Sequence, residues 1–164
     1  IAGNVPAGLD VQVASGNAAV TTTVRTPVGQ EGGRLNLVIA NSGGAVSSVK
    51  TSLADKTLFN AALNVGDKVR AWVGFRFKSC VLPKNLQIYL QINGATNIWW
   101  AGRYTSKETP MIDYDAPFIG YFPTDVFTIA SAVTQLDVVC AVEVGATTGA
   151  ADIDIWGFKL EKLS

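Results

Sequence analysis

The residues best suited to chemistry fall into three groups. The densest is Trp99-Trp100-Ala101-Gly102-Arg103-Tyr104. A flat aromatic face stacks on the C–H patch of a pyranose, and planar donors and acceptors such as Arg, Asp, Asn and Gln hydrogen-bond its hydroxyls. On a strand, Trp99, Ala101 and Arg103 share one face while Trp100, Gly102 and Tyr104 share the other. One indole is then core and the other exposed; the alternative is that both rings are structural. Trp72 is the second candidate. It stands on the polar side of its segment with Arg70 and Arg76, either offered to a ligand or packed under a loop or a neighbouring subunit. The third group is Asp113-Tyr114-Asp115. An extended backbone puts its two carboxylates on one face. There they could bind sugar hydroxyls, contribute to a Ca²⁺ site, act as an acid/base pair, or form a solvated loop. Two-carboxylate cleavage needs the groups on opposite sides of the scissile bond, about 5–10 Å apart. Asp152 and Asp154 repeat the spacing, but Ca²⁺ takes about 6–8 oxygens and neither pair supplies them.

Composition narrows the chemistry. The 164 residues contain no His, so triads, Cys-His dyads and His-ligated metals are excluded. Thirteen basic and 13 acidic residues cancel to zero net charge. This argues against a nucleic-acid partner, which requires a basic footprint. Charged residues make up 16% of the chain, against a usual figure of about 25%. The mean hydropathy is +0.26. No run approaches the roughly 20 apolar residues of a spanning helix. Part of the surface is therefore expected to be covered by a partner. No cofactor is implied by any phosphate loop or metal-ligand spacing. Cys80 and Cys140 read as buried thiols or as a bond between neighbouring strands. The chain begins at Ile1 without Met, which suggests a processed product or a fragment.

The positioning elements are strands. Residues 1–33 are rich in Gly, Ala, Thr and Val, with short strands at 10–13 and 18–25; they read as an opening linker with an edge strand. From residue 34 to 164 the alternation is clean. Leu35, Leu37 and Ile39 share one face, as do Val69, Ala71, Val73, Phe75 and Phe77. Leu86, Ile88, Leu90 and Ile92 face inward with Gln87, Tyr89 and Gln91 outward, and Asn93-Gly94 marks a tight hairpin returning through 98–103. A weaker alternation covers 56–63. Residues 104–123 read as a long loop or broken edge. Strands follow at 126–130 and 136–144. In the last strand Gly157 marks a bulge that reverses the facing, so that Phe158, Leu160 and Leu163 continue the apolar row. Eight or more short strands with turn signals make an all-β antiparallel sandwich.

This order of signals resembles the β-sandwich jelly roll of carbohydrate-binding modules and of the C-terminal domains of phage tail spikes and depolymerases. The resemblance rests on Leu63-Asn64-Val65-Gly66-Asp67 leading into the aromatic strand 69–78, and on the alternating strand 86–92 returning through Ile98-Trp99-Trp100. It rests further on Val126-Phe127-Thr128-Ile129-Ala130 and on the closing Asp152-Ile153-Asp154-Ile155-Trp156-Gly157-Phe158-Lys159-Leu160-Glu161-Lys162-Leu163. It implies two packed sheets and a non-catalytic domain that binds a bacterial surface polysaccharide or another glycan. Trp99, Trp100, Arg103, Tyr104, Asp113, Tyr114, Asp115 and Trp72 are its candidate contacts. It also implies a structural Ca²⁺ in some modules, sister subunits in a homo-oligomer with a trimer favoured, and a virion or extracellular location. The alternatives are a purely structural oligomerisation domain, or a lyase or hydrolase working through Asp113, Asp115, Tyr114 or Tyr121 with Arg103.

Overall fold

The computed structural model describes residues 1–5, 8–25, 34–54, 62–81, 83–103 and 118–163. Its strands are β1 (Ala2–Gly3), β2 (Leu9–Ser15), β3 (Ala18–Arg25), β4 (Arg34–Asn41), β5 (Ser47–Ala54) and β6 (Lys68–Val81). They continue with β7 (Pro83–Ile92), β8 (Ala95–Arg103), β9 (Phe118–Pro123), β10 (Phe127–Thr128), β11 (Leu136–Val144) and β12 (Ala150–Lys162). They form a seven-stranded sheet in the order β1-β3-β4-β12-β6-β10, with β9 also on β6, and a five-stranded sheet in the order β2-β5-β11-β7-β8. The architecture is an all-β jelly-roll sandwich. The short β1–β3 pair is parallel, and the other pairs among the described residues are antiparallel. None of the described residues belongs to a helix long and apolar enough to cross a membrane.

Period-two alternation builds the core between the sheets. The seven-stranded sheet contributes Leu35, Leu37, Ile39, Val69, Ala71, Val73, Phe75, Ile153 and Ile155. Against them pack Val49, Leu86, Ile88, Leu90, Leu136, Val138, Cys140 and Val142 from the other sheet. Burying each large aliphatic side chain stabilises the sandwich by about 1.5–3 kcal/mol.

Two local devices shape the strand pairing. Asn93 and Gly94 both have positive φ, 51° and 80°, which is the two-residue hairpin turn whose twist matches its flanking strands. In β12, Gly157 has φ 58°. There the pairing steps from Trp156–Gly74 to Lys159–Trp72, so two residues of β12 oppose one of β6. Ile153 and Ile155 face the core before the bulge, and Phe158 and Leu160 pack on it afterwards. Leu163 does not continue the row; it is 42% exposed, beyond the end of the strand.

Several elements differ from the sequence reading. The opening segment is built into the sandwich: β2 edges one sheet, β3 lies within the other, and Val11 and Val20 are core residues. Their neighbours are small or polar, so the alternation is faint. Strand β5 was not expected, because its inward residues Val49, Thr51 and Leu53 are separated by Ser and Lys and one of them is polar. Of residues 104–123, read as a long loop or a broken edge, 118–123 form a strand paired with β6. Strand β10 is only two residues long. Beyond it the Ile129 N–H bonds the Asp67 carbonyl at 2.8 Å, seating Ile129 in the core at 1% exposure. Most of the alternation expected over 56–63 lies outside the described residues.

Candidate functional site

The outer face of the five-stranded sheet is the candidate site. On β11, Leu136, Val138, Cys140 and Val142 turn into the core, which leaves Asp137, Val139, Ala141 and Glu143 on the outer face. Cross-strand registers extend these residues into rows, with adjacent strands about 4.8 Å apart. One row reads Asp10, Ser52, Val139, Tyr89, Trp99. The next reads Gln12, Lys50, Ala141, Gln87, Ala101. A third runs through Glu143, Asn85 and Arg103.

Trp99 and Arg103 thus occupy positions in the outer-face rows. Trp100 pairs with Ile88 and Gly102 with Leu86, which are core residues. The hairpin register separates the two adjacent tryptophan positions as alternation requires.

Tyr89, Val139 and Ala141 form a second apolar cluster on this face, distinct from the main core. Tyr89 is only 4% exposed. The Lys50 ammonium lies 6.0 Å from its ring centroid, at the limit of a cation–π contact. Around the cluster, Lys50, Ser52, Gln87 and Gln91 are half-buried, and Asp10 and Gln12, hydrogen-bonded to one another, are exposed. The result is an apolar floor bordered by amides, hydroxyls and isolated charges.

Asp137 lies at the end of the same face, between Ala54 and Gln91 in the register. It is 8% exposed. Its Oδ2 accepts a hydrogen bond from Gln135 Nε2 at 3.0 Å, and its buried Oδ1 accepts none. Burial raises its carboxyl above the ordinary range, with the Gln135 bond pulling the other way.

Trp72 belongs to the other sheet, paired with Lys159 and Pro123. Its Nε1–H donates to Glu161 Oε2 at 2.9 Å, and Arg70 Nε donates to the same oxygen at 2.5 Å. The Arg70 guanidinium sits 4.9 Å from the Trp72 ring centroid. Hydrogen bonds from Arg70 and Trp72 hold the Glu161 carboxyl below its ordinary range. Trp72 is therefore engaged by its own neighbours and is not brought together with Trp99.

Asp152 and Asp154 face a lysine. Lys78 Nζ lies 2.7 Å from Asp152 Oδ1 and 3.4 Å from Asp154 Oδ1, and Asn36 Nδ2 donates to Asp152 Oδ1 at 2.7 Å. One ammonium thus contacts both carboxylates. Among the described residues no group of three or more potential metal ligands occurs. Tyr104, Asp113, Tyr114 and Asp115 lie outside the described residues.

The sequence reading missed Lys50 and Asp137 as members of this face. The available signal was β11 itself, Leu-Asp-Val-Val-Cys-Ala-Val-Glu-Val, which is apolar on both faces near its middle. A central strand reads that way when both of its faces are buried.

No family model matches the sequence, and neither does any curated protein. Solved structures do match. A carbohydrate-binding module of the beta-sandwich superfamily, described for its promiscuous specificity, superposes with a TM-score of 0.58 at 13% identity over 94% of this chain. The fold is that of the β-sandwich carbohydrate-binding modules. The arabinose-bound α-L-arabinofuranosidase MgGH51 matches at 0.54 and 18% identity over 95% of the chain. The enzymatically active domain of tailspike protein 4 of bacteriophage CBA120 matches at 0.50 and 12% identity over 96%. This chain spans 57% of the first of these structures, 23% of the second and 20% of the third. At such identities the likeness is one of fold, and the site must be argued from the side chains.

Proposed function

We propose that this domain is a non-catalytic carbohydrate-binding module whose ligand lies across the outer face of the five-stranded sheet. The observation that carries the reading is the row Ser52, Val139, Tyr89, Trp99, with Lys50, Gln87 and Gln91 beside it. Tyr89 and Val139 form a buried floor. The half-buried Lys50, Gln87 and Gln91 beside it suit sugar hydroxyls, and the row position of Trp99 is where an aromatic face is expected to meet the C–H patch of the ring. The ligand class is a polysaccharide of a bacterial surface or another glycan. The likeness to a phage tailspike over 96% of this chain supports a place in a tail spike or similar surface protein, on the virion or outside the cell.

The test is a titration of the wild-type domain against a panel of soluble polysaccharides, by affinity electrophoresis and then calorimetry. Retardation by at least one glycan is expected. A blank panel that includes bacterial surface polysaccharides overturns the reading.

A second role, assembly with sister subunits, is favoured by one observation. Val65, Val126 and Leu163 are 63%, 46% and 42% exposed, all at the end of the sandwich where β6 begins. Low charge and exposed apolar surface suit a homo-oligomer, a trimer first. Light scattering should give a multiple of the 17.3 kDa chain mass; a monomer at micromolar concentration removes this role and leaves glycan binding standing.

A further inference from the structure

The carboxylate of Asp137 is costly to the fold as it stands. It is more than nine-tenths buried, and Oδ1 has no hydrogen-bond donor. A buried acceptor left unpaired opposes folding, and native structures rarely keep one without a use. Alternation places the side chain on the outer face, since Leu136 and Val138 on either side are core residues at 0% exposure. Its strand neighbours on that face are Val139 on β11 and Gln91 on β7, one step along from the Tyr89–Trp99 pair. Gln135 holds Oδ2, and Oδ1 is left as a buried acceptor without a donor.

We infer that Asp137 Oδ1 is the specificity contact of the glycan site, accepting a hydrogen bond from a ligand hydroxyl, and that the glycan is a neutral one. This rests on the reading of the face as sugar-binding. The charge on the face points the same way. Among the described side chains, Asp10, Asp137 and Glu143 stand on it against Lys50. A uronate or sulfated polymer would bring an anion toward an already unpaired carboxylate, where like charges repel. A neutral polyol instead supplies the missing donor.

The experiment compares wild type, Asp137→Asn and Trp99→Ala against neutral polymers (a glucan, a mannan and a galactan) and anionic ones (alginate and polygalacturonate). Each variant is also followed by thermal melting. Asp137→Asn keeps the side-chain shape and removes the buried charge. It is expected to melt at or above the wild-type temperature at pH 7, yet to bind the neutral polymer about tenfold or more weakly. A variant that melts lower shows the carboxylate to be structural and overturns the inference. So does Asp137→Asn binding at wild-type affinity while Trp99→Ala loses binding, an outcome that leaves the glycan site itself intact. Preference of the wild type for the anionic polymers also overturns it. Binding to no polymer by the wild type overturns the site and the inference together.

Discussion

Trp99 of β8 is the direct register partner of Tyr89 of β7, while its neighbour Trp100 is the partner of Ile88, a core residue at 0% exposure. A slip of one residue would exchange the two tryptophan positions between the outer-face row and the core row. The function proposed for this face therefore depends on what sets the register of the β7–β8 hairpin.

Beyond the turn the pairing steps from Gln91–Thr96 to Leu90–Ile98, and the one extra residue of β8, Asn97, brings Trp99 opposite Tyr89. The turn itself is held at Asn93. Its Oδ1 accepts from the Thr134 N–H at 2.8 Å, the Thr134 hydroxyl at 2.9 Å and the Gln135 N–H at 3.2 Å, and its Nδ2 donates to the Ala132 carbonyl at 2.9 Å. Its φ of 51° is one that Asn tolerates better than most residues. Asn93→Ala loses the side-chain bonds and gains backbone strain together. A destabilisation of about 2 kcal/mol is expected by denaturant unfolding. Melting unchanged from wild type would show that these bonds do not hold the turn.

Lys78 neutralises two carboxylates, one of them 5% exposed Asp154. Lys78→Met leaves Asp154 buried without its cation and should cost about 2 kcal/mol. Adding Asp154→Asn should restore most of the loss, which a double-mutant cycle measures directly. Additive effects of the two substitutions would contradict the pairing.

Acid sensitivity follows from Glu161 and Asp67. Both carboxyls are held below their ordinary values of 4.5 and 3.8, Glu161 first by its bond from Arg70 and Asp67 first by its bond from Lys162. A lowered folded-state value gives stability that is complete above the unfolded value and lost as pH falls through the folded one. Melting temperature should therefore drop as pH falls below about 4.5, and Glu161→Gln should flatten the slope. Asp137 runs in the opposite sense: its raised value gives a contribution complete below 3.8 and lost as pH rises through its folded value. Asp137→Asn should therefore steepen the acid slope.

Cys140 lies in the core, fully buried and free, and burial pushes its thiol up to about 12. The thiolate is the reactive form. In a Cys80→Ser background, a thiol reagent at pH 8 should label the protein only after denaturant is added. Stoichiometric labelling of the folded domain would show that the core opens on the timescale of the reaction.

Much of this architecture was legible from alternation alone. Val69 to Phe75, Leu86 to Ile92, the Asn93-Gly94 turn and the Gly157 bulge each announce themselves in residue type and period. Strand β5 did not, because Thr51 sits at 0% exposure among serines and reads as loop chemistry. The candidate face was half legible. The outward setting of Gln87, Tyr89 and Gln91 follows from period two, but their alignment with Val139 and Lys50 depends on strand order, which a jelly roll sets through long crossovers and no local pattern encodes. Trp72 looked equivalent to Trp99 in sequence. It stands apart because β6 joins the other sheet, where Glu161, 89 residues away, takes its indole N–H.

The two sheets therefore offer one direct comparison. Calorimetric titration of a glycan that binds the wild-type domain should show binding lost in Trp99→Ala and kept within about threefold in Trp72→Ala, with both variants folded by circular dichroism. Binding that survives Trp99→Ala and fails in Trp72→Ala would place the ligand on the seven-stranded sheet and contradict the account.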